Sequence, residues 1–255
     1  MNGFLTMTYR QLKRFVNARS RVFMSIINPV IWLVFFGLGW SNVFSFPGAK
    51  TIFGGLDYLT YLASGMVAMT IMMSSFISGV SVIWDKQFGF LKETLVAPVS
   101  RAEVILGRAF GDSLLTVLQG AIILFLMYLI APQINLMGAL PALCYGLLLS
   151  MGFTSFGITL SLKLSSTEGF QMIVNLVTMP LLFMSGIFYP IDNLPEWMKI
   201  VAYVNPMTYA VDGMRYWLTN TSRFEPLVDV SVLSVLTLIL VLLAVRVYDK
   251  ATIED

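Results

Sequence analysis

The 255-residue sequence contains no histidine and a single cysteine, Cys144. Histidine is the usual proton switch near neutral pH and a common metal ligand, so its absence excludes histidine-based sites. One cysteine excludes an internal disulfide framework. The sequence also lacks the phosphate-binding pattern G-x-x-x-x-G-K-[S/T] and any segment large and polar enough for a soluble nucleotide-binding domain. Its carboxylates are dispersed, with no close pair in one apolar stretch, so we expect no catalytic residue, metal site or cofactor on this chain.

Charge is scarce as well, at 12% of the residues, about half the usual globular share. Hydrophobic residues make up 57%, and the mean hydropathy of +0.81 indicates an integral membrane protein. Charged residues are absent from 22–49, 58–84, 113–162, 169–191 and 230–245. Because 113–162 is long enough for two crossings around the turn at 131–135, the sequence predicts an all-α membrane protein with six transmembrane helices.

These elements are predicted to form one domain over residues 1–255. An amphipathic interfacial helix over 1–21 carries apolar residues on one face and basic residues on the other. The predicted spans are 22–44, 58–83, 101–130, 137–162, 168–189 and 228–248. Twelve of the sixteen Lys and Arg residues fall on the side that holds both termini, so the positive-inside rule places the termini in the cytoplasm. The net charge of +2 therefore follows topology and gives no indication of nucleic acid binding.

The segment 183–215 is apolar, yet three prolines and several charged residues interrupt it. No window in it offers the about 20 apolar residues that a crossing needs, so we predict an outer re-entrant hairpin over 192–219. An N-x-x-E pattern at Asn193 begins a helix over 194–203, and Asn205 followed by Pro206 begins another over 206–219. Asp212 and Arg215 are spaced to pair on the second helix.

The predicted cytoplasmic loop contains a short helix within 85–98. Phe88, Leu91 and Leu95 recur at helical spacing, Pro98 ends the helix, and Ser100 starts the next span with an S-x-x-E capping box. One apolar stripe on a short exposed helix fits docking into a groove of a partner protein. A helix that lies on the bilayer surface fits the same pattern, and the sequence does not separate the two.

Three predicted spans carry polar residues at helical spacing. They are Thr70, Ser74, Ser78 and Ser81 in the second, Asp112, Thr116 and Gln119 in the third, and Glu168, Gln171, Asn175, Thr178 and Ser185 in the fifth. Polar groups are costly in lipid, so they face other helices or a water-accessible path. Interhelical hydrogen bonding is the alternative to a path. Flexible methionines cluster beside the second-span stripe, either as core filler or as a surface for varied apolar ligands.

Paired motifs in these places resemble those of the ABC-2 type permeases, the membrane subunits of ATP-binding-cassette exporters. In the outer segment the matching residues are Phe183, Ser185, Gly186, Phe188, Pro190, Pro195, Trp197, Asn205, Pro206, Thr208, Tyr209 and Arg215. The loop that runs through 85–89, 97–101 and 107–108 is similar to the daunorubicin-resistance-type branch, and Asn28-Pro29 fits as well. The resemblance covers essentially the whole chain.

The resemblance implies an exporter permease in the plasma (inner) membrane of a prokaryote. Two copies of a cytoplasmic ATPase, which bind ATP and Mg, would dock on a coupling helix, and a second permease, expected to be identical, would complete the path within membrane lipid. The implied coupling residues are Phe88, Leu91, Lys92, Glu93 and Leu95. The implied path residues are Thr70, Met73, Ser74, Gln171, Asn175 and Thr178. The implied outer gate consists of Phe188, Pro190, Pro195, Trp197, Asn205, Pro206, Tyr209 and Arg215.

The expected cargo is an amphipathic drug or lipid. Export of a lipid-linked glycan is the alternative within the family. Permeases for such glycans often have a wider channel lined by aromatic residues, whereas aromatic residues are sparse here in the fifth span between Gln171 and Leu182. An ion-coupled secondary transporter would show broken helices in both halves, whereas only the second half is interrupted here. A membrane scaffold or receptor would not need a carboxylate at Asp112 or Glu168.

Overall fold

The computed structural model describes residues 2–16, 27–41, 43–44, 46, 48–131 and 133–251. All regular elements in these ranges are helical. They are α1 (Gly3–Val16), α2 (Ile27–Ser41, π-helical over Leu33–Leu38), α3 (Ala49–Ile52), α4 (Tyr58–Gln87), α5 (Phe90–Val96), α6 (Arg101–Ile130), α7 (Ala139–Lys163), α8 (Thr167–Phe183), α9 (Glu196–Val204), α10 (Pro206–Thr219) and α11 (Pro226–Asp249), with 3₁₀ turns at Leu136–Gly138 and Ile191–Asn193.

Four helices in the described part are long and apolar enough to cross a membrane: α4, α6, α7 with its preceding 3₁₀ turn, and α11. They correspond to the predicted spans over 58–83, 101–130, 137–162 and 228–248. The apolar helices α2 and α8 are shorter, and α8 has only 17 residues. The first and fifth crossings therefore stay predictions, and residues 17–26, which include the expected start of the first, lie outside the described residues.

The helix α8 ends earlier than the predicted span over 168–189. Gly186 has a φ of 80°, in the left-handed region that favours glycine, and the Ser185 hydroxyl donates to the Leu182 carbonyl oxygen at 2.7 Å. The chain turns here. Ser185 therefore does not belong to the polar stripe of this helix, as its spacing had indicated.

The N-terminal helix α1 packs along α6 through glycines. A Cβ on Gly107 would collide with the backbone oxygen of Phe4, so only glycine allows this approach. The Thr8 hydroxyl donates to the Gly107 carbonyl oxygen at 3.0 Å. Leu5 and Tyr9, which belong to the apolar face predicted for this helix, remain 61% and 64% exposed. The buried face of α1 is thus the side that carries Thr8, and part of the predicted apolar face remains free to contact lipid.

The helix α4 forms the centre of the bundle and is buried over most of its length. The hydroxyls of Ser75, Thr116 and Ser150 form one hydrogen-bonded cluster that joins α4, α6 and α7. Gly79 approaches Gly157 so closely that a Cβ would collide with its backbone. Hydroxyl groups and glycines therefore hold the core together where hydropathy alone indicates only apolar helices.

The predicted hairpin consists of two unequal helices. The Asn205 side chain accepts from the Met207 backbone N–H at 2.9 Å and Pro206 is the first residue of α10, which confirms this predicted helix start. The start of α9 differs from the prediction, because Pro195 occupies the N-cap position and no side chain caps the helix. Most of α10 is buried between α4, α7 and α11, whereas α9 exposes Trp197, Ile200 and Val204.

Candidate functional site

A cavity of 740 Å³ lies between α1, α2, α4 and α6. Along α4 it extends from Met69 to Trp84, a rise of about 22 Å at 1.5 Å per residue. Its volume falls in the range of small-molecule sites in proteins. The residues that line it on the other helices include Gln11, Arg14, Trp32, Asp112, Leu115, Thr116 and Gln119. The cavity thus connects the end of the bundle that holds α1 and α5 with the middle of the helices.

The cavity brings together only half of the implied path residues. Thr70, Met73 and Ser74 line it. Gln171 and Asn175 lie on the exposed face of α8, where the Gln171 amide donates to Asn175 Oδ1 at 3.0 Å. Thr178 is buried in α8, and its hydroxyl has no hydrogen-bond partner in the described part of the chain. The second-span and fifth-span residues therefore occupy two separate places in the chain.

The wall that α6 contributes to the cavity is polar. Asp112 is 8% exposed and accepts a long hydrogen bond of 3.4 Å from the Gln11 side chain. Gln119 is 4% exposed, and its Oε1 lacks a hydrogen-bond partner among the described residues. The spacing of Asp112, Thr116 and Gln119 along the third span was the sequence signal for this wall. Nothing in the sequence indicated that Gln11 on α1 or Trp32 on α2 would line the same cavity.

A buried carboxylate, Asp85, connects three helices at one end of this cavity. Its oxygens lie 2.6 Å from Arg108 Nη1 on α6 and 2.9 Å from Arg10 Nη2 on α1, and Arg14 approaches to 3.9 Å. Arg108 also donates to the Ser81 hydroxyl at 2.7 Å. The Asp85 and Arg108 side chains are 7% and 4% exposed, so each charge depends on the other for compensation. We call Asp85, Arg10 and Arg108 the Asp85 cluster.

The Asp85 cluster contacts the short helix α5 directly. The Arg10 guanidinium lies 3.7 Å from the centre of the Phe90 ring, a cation–π distance. Thr94 and Tyr248 share a hydrogen bond of 2.9 Å between their hydroxyls, which joins α5 to α11. The helix α5 is therefore joined to α1 through Arg10 and to α11 through Thr94.

The structure corrects the apolar stripe expected on α5. Phe88 is 85% exposed but precedes the helix, since Gly89 has a φ of 79° and α5 begins at Phe90. Leu91 is buried in the protein's own core, and Leu95 is half-buried against it. The accessible residues are Phe88, Lys92, Glu93 and Val96. We call these four the α5 surface. It mixes one aromatic ring, two charges and one aliphatic side chain.

The charged residues of the predicted hairpin do not pair as their spacing indicated. Arg215 is buried and donates to the Ser64 hydroxyl at 3.0 Å, the Gly186 carbonyl oxygen at 2.9 Å and the Tyr61 carbonyl oxygen at 3.3 Å. Its guanidinium also lies 3.7 Å from the centre of the Tyr61 ring. Arg215 therefore joins α10 to α4 and to the turn that follows α8.

Asp212 instead closes the connection between α10 and α11. Its carboxylate accepts from the backbone N–H groups of Arg223, at 2.9 and 3.0 Å, and Phe224, at 2.8 Å. Burial raises the pKa of Asp212, which lies outside the four candidate spans, while the N–H donors of Phe224 and Arg223 act in the opposite direction. A second, polar cavity of 260 Å³ lies beside Asp212 and Arg215.

The implied gate residues divide into packed and exposed groups. Phe188 is buried and its ring lies 5.4 Å from that of Phe36 on α2 and 5.2 Å from that of Phe183. The Tyr209 hydroxyl donates to the Tyr203 carbonyl oxygen at 2.6 Å. The other packed or half-buried residues are Pro190, Asn205, Pro206 and Arg215, and the exposed ones are Pro195 and Trp197.

The sequence matches the family model described as ABC-2 type transporter over residues 2–219. A protein of Cyanophora paradoxa that is named as a transport permease, ycf38, is 31% identical over 210 residues, which cover 78% of this chain and 70% of that protein. DrrB1 of Streptomyces coeruleorubidus, named as a daunorubicin resistance ABC transporter permease protein, is 25% identical over 230 residues, 88% of this chain and 77% of that protein. YbhR of Escherichia coli K12, named as a multidrug ABC transporter permease, is 24% identical over 159 residues, 62% of this chain and 43% of that protein.

Proposed function

Because this chain belongs to the ABC-2 type transporter family, we propose that it exports an amphipathic drug or lipid with energy from ATP hydrolysed on separate ATPase subunits. Membership of this family means that the chain is a multi-pass membrane permease subunit. The cargo class is supported by the relatives named for daunorubicin resistance and multidrug transport. It is also supported by the 740 Å³ cavity, whose walls are largely apolar and also carry polar side chains on α4 and α6.

The observation that carries this proposal is the Asp85 cluster between the cavity and the α5 surface. Arg14 and Trp84 line the cavity; Arg14 approaches Asp85 to 3.9 Å, and Trp84 precedes it in the sequence. On the other side of the cluster, Arg10 stacks on Phe90 of α5. An ATPase that pushes on α5 would therefore move α1, α4 and α6, which form three of the cavity's walls. Such a rigid-body shift between packed elements is a common basis for alternating access.

We place the ATPase on the α5 surface at the predicted cytoplasmic end. Phe88→Asp should prevent a co-expressed ATPase from co-purifying, because a charge would replace the one aromatic side chain of this surface, which is 85% exposed. Insertion and thermal stability of the permease should stay close to those of the unmodified protein. Co-purification followed by size-exclusion chromatography measures the first, and thermal melting measures the second.

Leu91→Asp is the matched comparison within the same segment. Leu91 lies in the protein's own core, so its replacement by a charge should lower the melting temperature of the isolated permease, with a cost of several kcal/mol. Normal co-purification of Phe88→Asp with the ATPase would contradict the docking assignment. A stable Leu91→Asp variant would contradict the position of α5.

We propose that a second copy of the chain covers the open face of α8. This helix packs chiefly on α4, and Met172 and Leu176 on its other side are 74% and 75% exposed. Lipid could cover such apolar residues, but the amide pair of Gln171 and Asn175 on the same face would be costly there. A symmetric dimer would place the two amide pairs beside a shared path, which is consistent with the path role implied for these residues.

In a symmetric interface a residue near the two-fold axis meets its own copy. Asn175→Cys in a Cys144→Ser background, which removes the one native cysteine, should form a cross-linked dimer upon mild oxidation in membranes. Leu129→Cys, on the exposed side of α6, provides the control at a comparably accessible site and should remain monomeric. Gel electrophoresis without reductant measures the result. Equal cross-linking at both positions, or none at Asn175, would contradict this interface.

The remaining parts of the proposal concern orientation. We place both termini in the cytoplasm of a prokaryotic cell, the α1 and α5 end towards the ATPase, and α9 and α10 at the outer face. The exposed aromatic and aliphatic residues of α9 would then lie in the outer interface of the plasma (inner) membrane. The gate would open there when ATP binding closes the ATPases.

A further inference from the structure

The shape of the 740 Å³ cavity restricts what it can hold. Spread over the rise of about 22 Å along α4, this volume corresponds to a mean cross-section of about 34 Å². A cavity of this length and volume suits an elongated molecule. Met69, Met73 and Leu115 supply much of the apolar wall, and the flexible thioethers of methionine adapt to irregular apolar shapes.

Polar side chains of α1, α4 and α6 also line the cavity, among them Asp112 and Gln119. Gln119 Oε1 is buried and lacks a hydrogen-bond partner among the described residues, a state that costs about 1–3 kcal/mol. The nearby hydroxyl on the α4 wall, that of Thr70, already donates to the Met66 carbonyl oxygen at 2.8 Å. The last side-chain torsion of glutamine is soft and the Gln119 side chain lines the cavity, so rotation about this torsion can present Oε1 to a ligand there. A donor in the cavity would satisfy this atom.

Exposed apolar residues mark a side entrance. Ile31 on α2 and Ile77 and Trp84 on α4 line the cavity and are 48%, 46% and 41% exposed. Exposed apolar side chains on membrane helices can contact lipid, which is as apolar as they are. A ligand dissolved in the bilayer can therefore enter between α2 and α4 without first crossing into water.

We propose that this cavity binds a slender, mostly apolar molecule, entering from the bilayer, with one N–H or O–H group that donates to Gln119. This ligand would be the cargo of the exporter proposed above. Only its role as cargo rests on that proposed function; the binding itself does not. The donor is what distinguishes the ligand from an ordinary hydrocarbon or acyl chain. Gln119 then acts as the residue that selects among apolar molecules of equal size.

The test uses the purified full-length chain in lipid nanodiscs, without ATPase or ATP. The donor probe is N-phenyl-1-naphthylamine, whose fluorescence rises in apolar surroundings, and the matched competitor is 1-phenoxynaphthalene, in which an ether oxygen replaces the N–H. We expect the amine to bind about tenfold more tightly than the ether, as one hydrogen bond provides. In Gln119→Leu the two probes should bind equally, since the acceptor is gone and the size of the side chain is similar.

Gln119→Leu should also fold, because it replaces a buried amide whose oxygen lacks a hydrogen-bond partner with an apolar group. Ser74→Trp tests the position of the site, since the indole would occupy the cavity and abolish binding of both probes. Equal affinities in the unmodified protein, a preference that persists in Gln119→Leu, or binding that survives Ser74→Trp would each overturn the proposal. Because these measurements omit the ATPase, their failure leaves the docking result for Phe88→Asp untouched, and a failure of ATPase docking leaves the binding result intact.

Discussion

Asp85→Asn is expected to lower the unfolding free energy by about 3–5 kcal/mol and to uncouple ATP hydrolysis from transport. The buried Arg108 guanidinium lies 2.6 Å from Asp85 and is 4% exposed, so neutralising the carboxylate leaves a buried positive charge without compensation. Arg10 loses the same partner, and with it the ion pair between α1 and α4. Thermal melting should report the loss of stability, and hydrogen exchange of α1 amides should show faster exchange at that helix.

Glu93→Gln is the matched control for this variant. It also removes one carboxylate at the same end of the molecule, but Glu93 is exposed, so its melting temperature should change little. In the assembled transporter, Asp85→Asn should retain the ATPase, because the α5 surface is unchanged, while hydrolysis no longer responds to cargo. An Asp85→Asn protein that melts like the Glu93→Gln control would show that the cluster does not hold these helices together.

Arg215→Lys is expected to have the second large effect, with a loss of about 2–4 kcal/mol. The forked guanidinium reaches acceptors on two elements at once, Ser64 on α4 and the Gly186 carbonyl oxygen in the turn after α8, and it stacks on Tyr61. A lysine ammonium keeps the charge but cannot span these acceptors in one geometry. The turn at 184–190 should loosen, and the melting temperature should fall.

Arg223→Gln provides the comparison at the same end. Arg223 pairs with the largely exposed Asp192 at 2.8 Å, and such exposed pairs contribute about 0–1 kcal/mol. The bonds from its backbone to Asp212 do not depend on its side chain. If Arg215→Lys and Arg223→Gln had the same melting temperature, the buried Arg215 guanidinium would not be the group that holds α10 in place. Limited proteolysis within 184–190 would separate local loosening from global unfolding.

Local signals in the sequence were the dependable ones. The start of α10 at Asn205 and Pro206 was predicted correctly, because a cap depends on residues within one turn. Four of the apolar stretches correspond to the long helices α4, α6, α7 and α11 for the same reason. The motifs that indicated the ABC-2 family also lie within short segments, and the match over residues 2–219 confirms that assignment.

Signals that need a partner far along the chain were less informative. Asp212 and Arg215 have the spacing of an ion pair, yet Arg215 bonds to residues 29 and 151 positions away, and Asp212 to the loop after its helix. Phe88, Leu91 and Leu95 have the spacing of one stripe, yet a left-handed glycine separates Phe88 from α5 and the core covers Leu91. Spacing shows which side chains share a face and not what that face meets.

The sequence by itself determined that this is a helical membrane protein of the ABC-2 family, where its four long apolar helices lie, and where α10 begins. Periodicity, caps and charge-free length are local properties, so one chain suffices to show them. The tertiary structure decided that Asp85 joins α1, α4 and α6, that α10 lies in the core, and that Gln119 opens onto a cavity. In a membrane protein both lipid-facing and core-facing surfaces are apolar, so hydropathy cannot distinguish them, and only packing shows which polar atom is left without a partner.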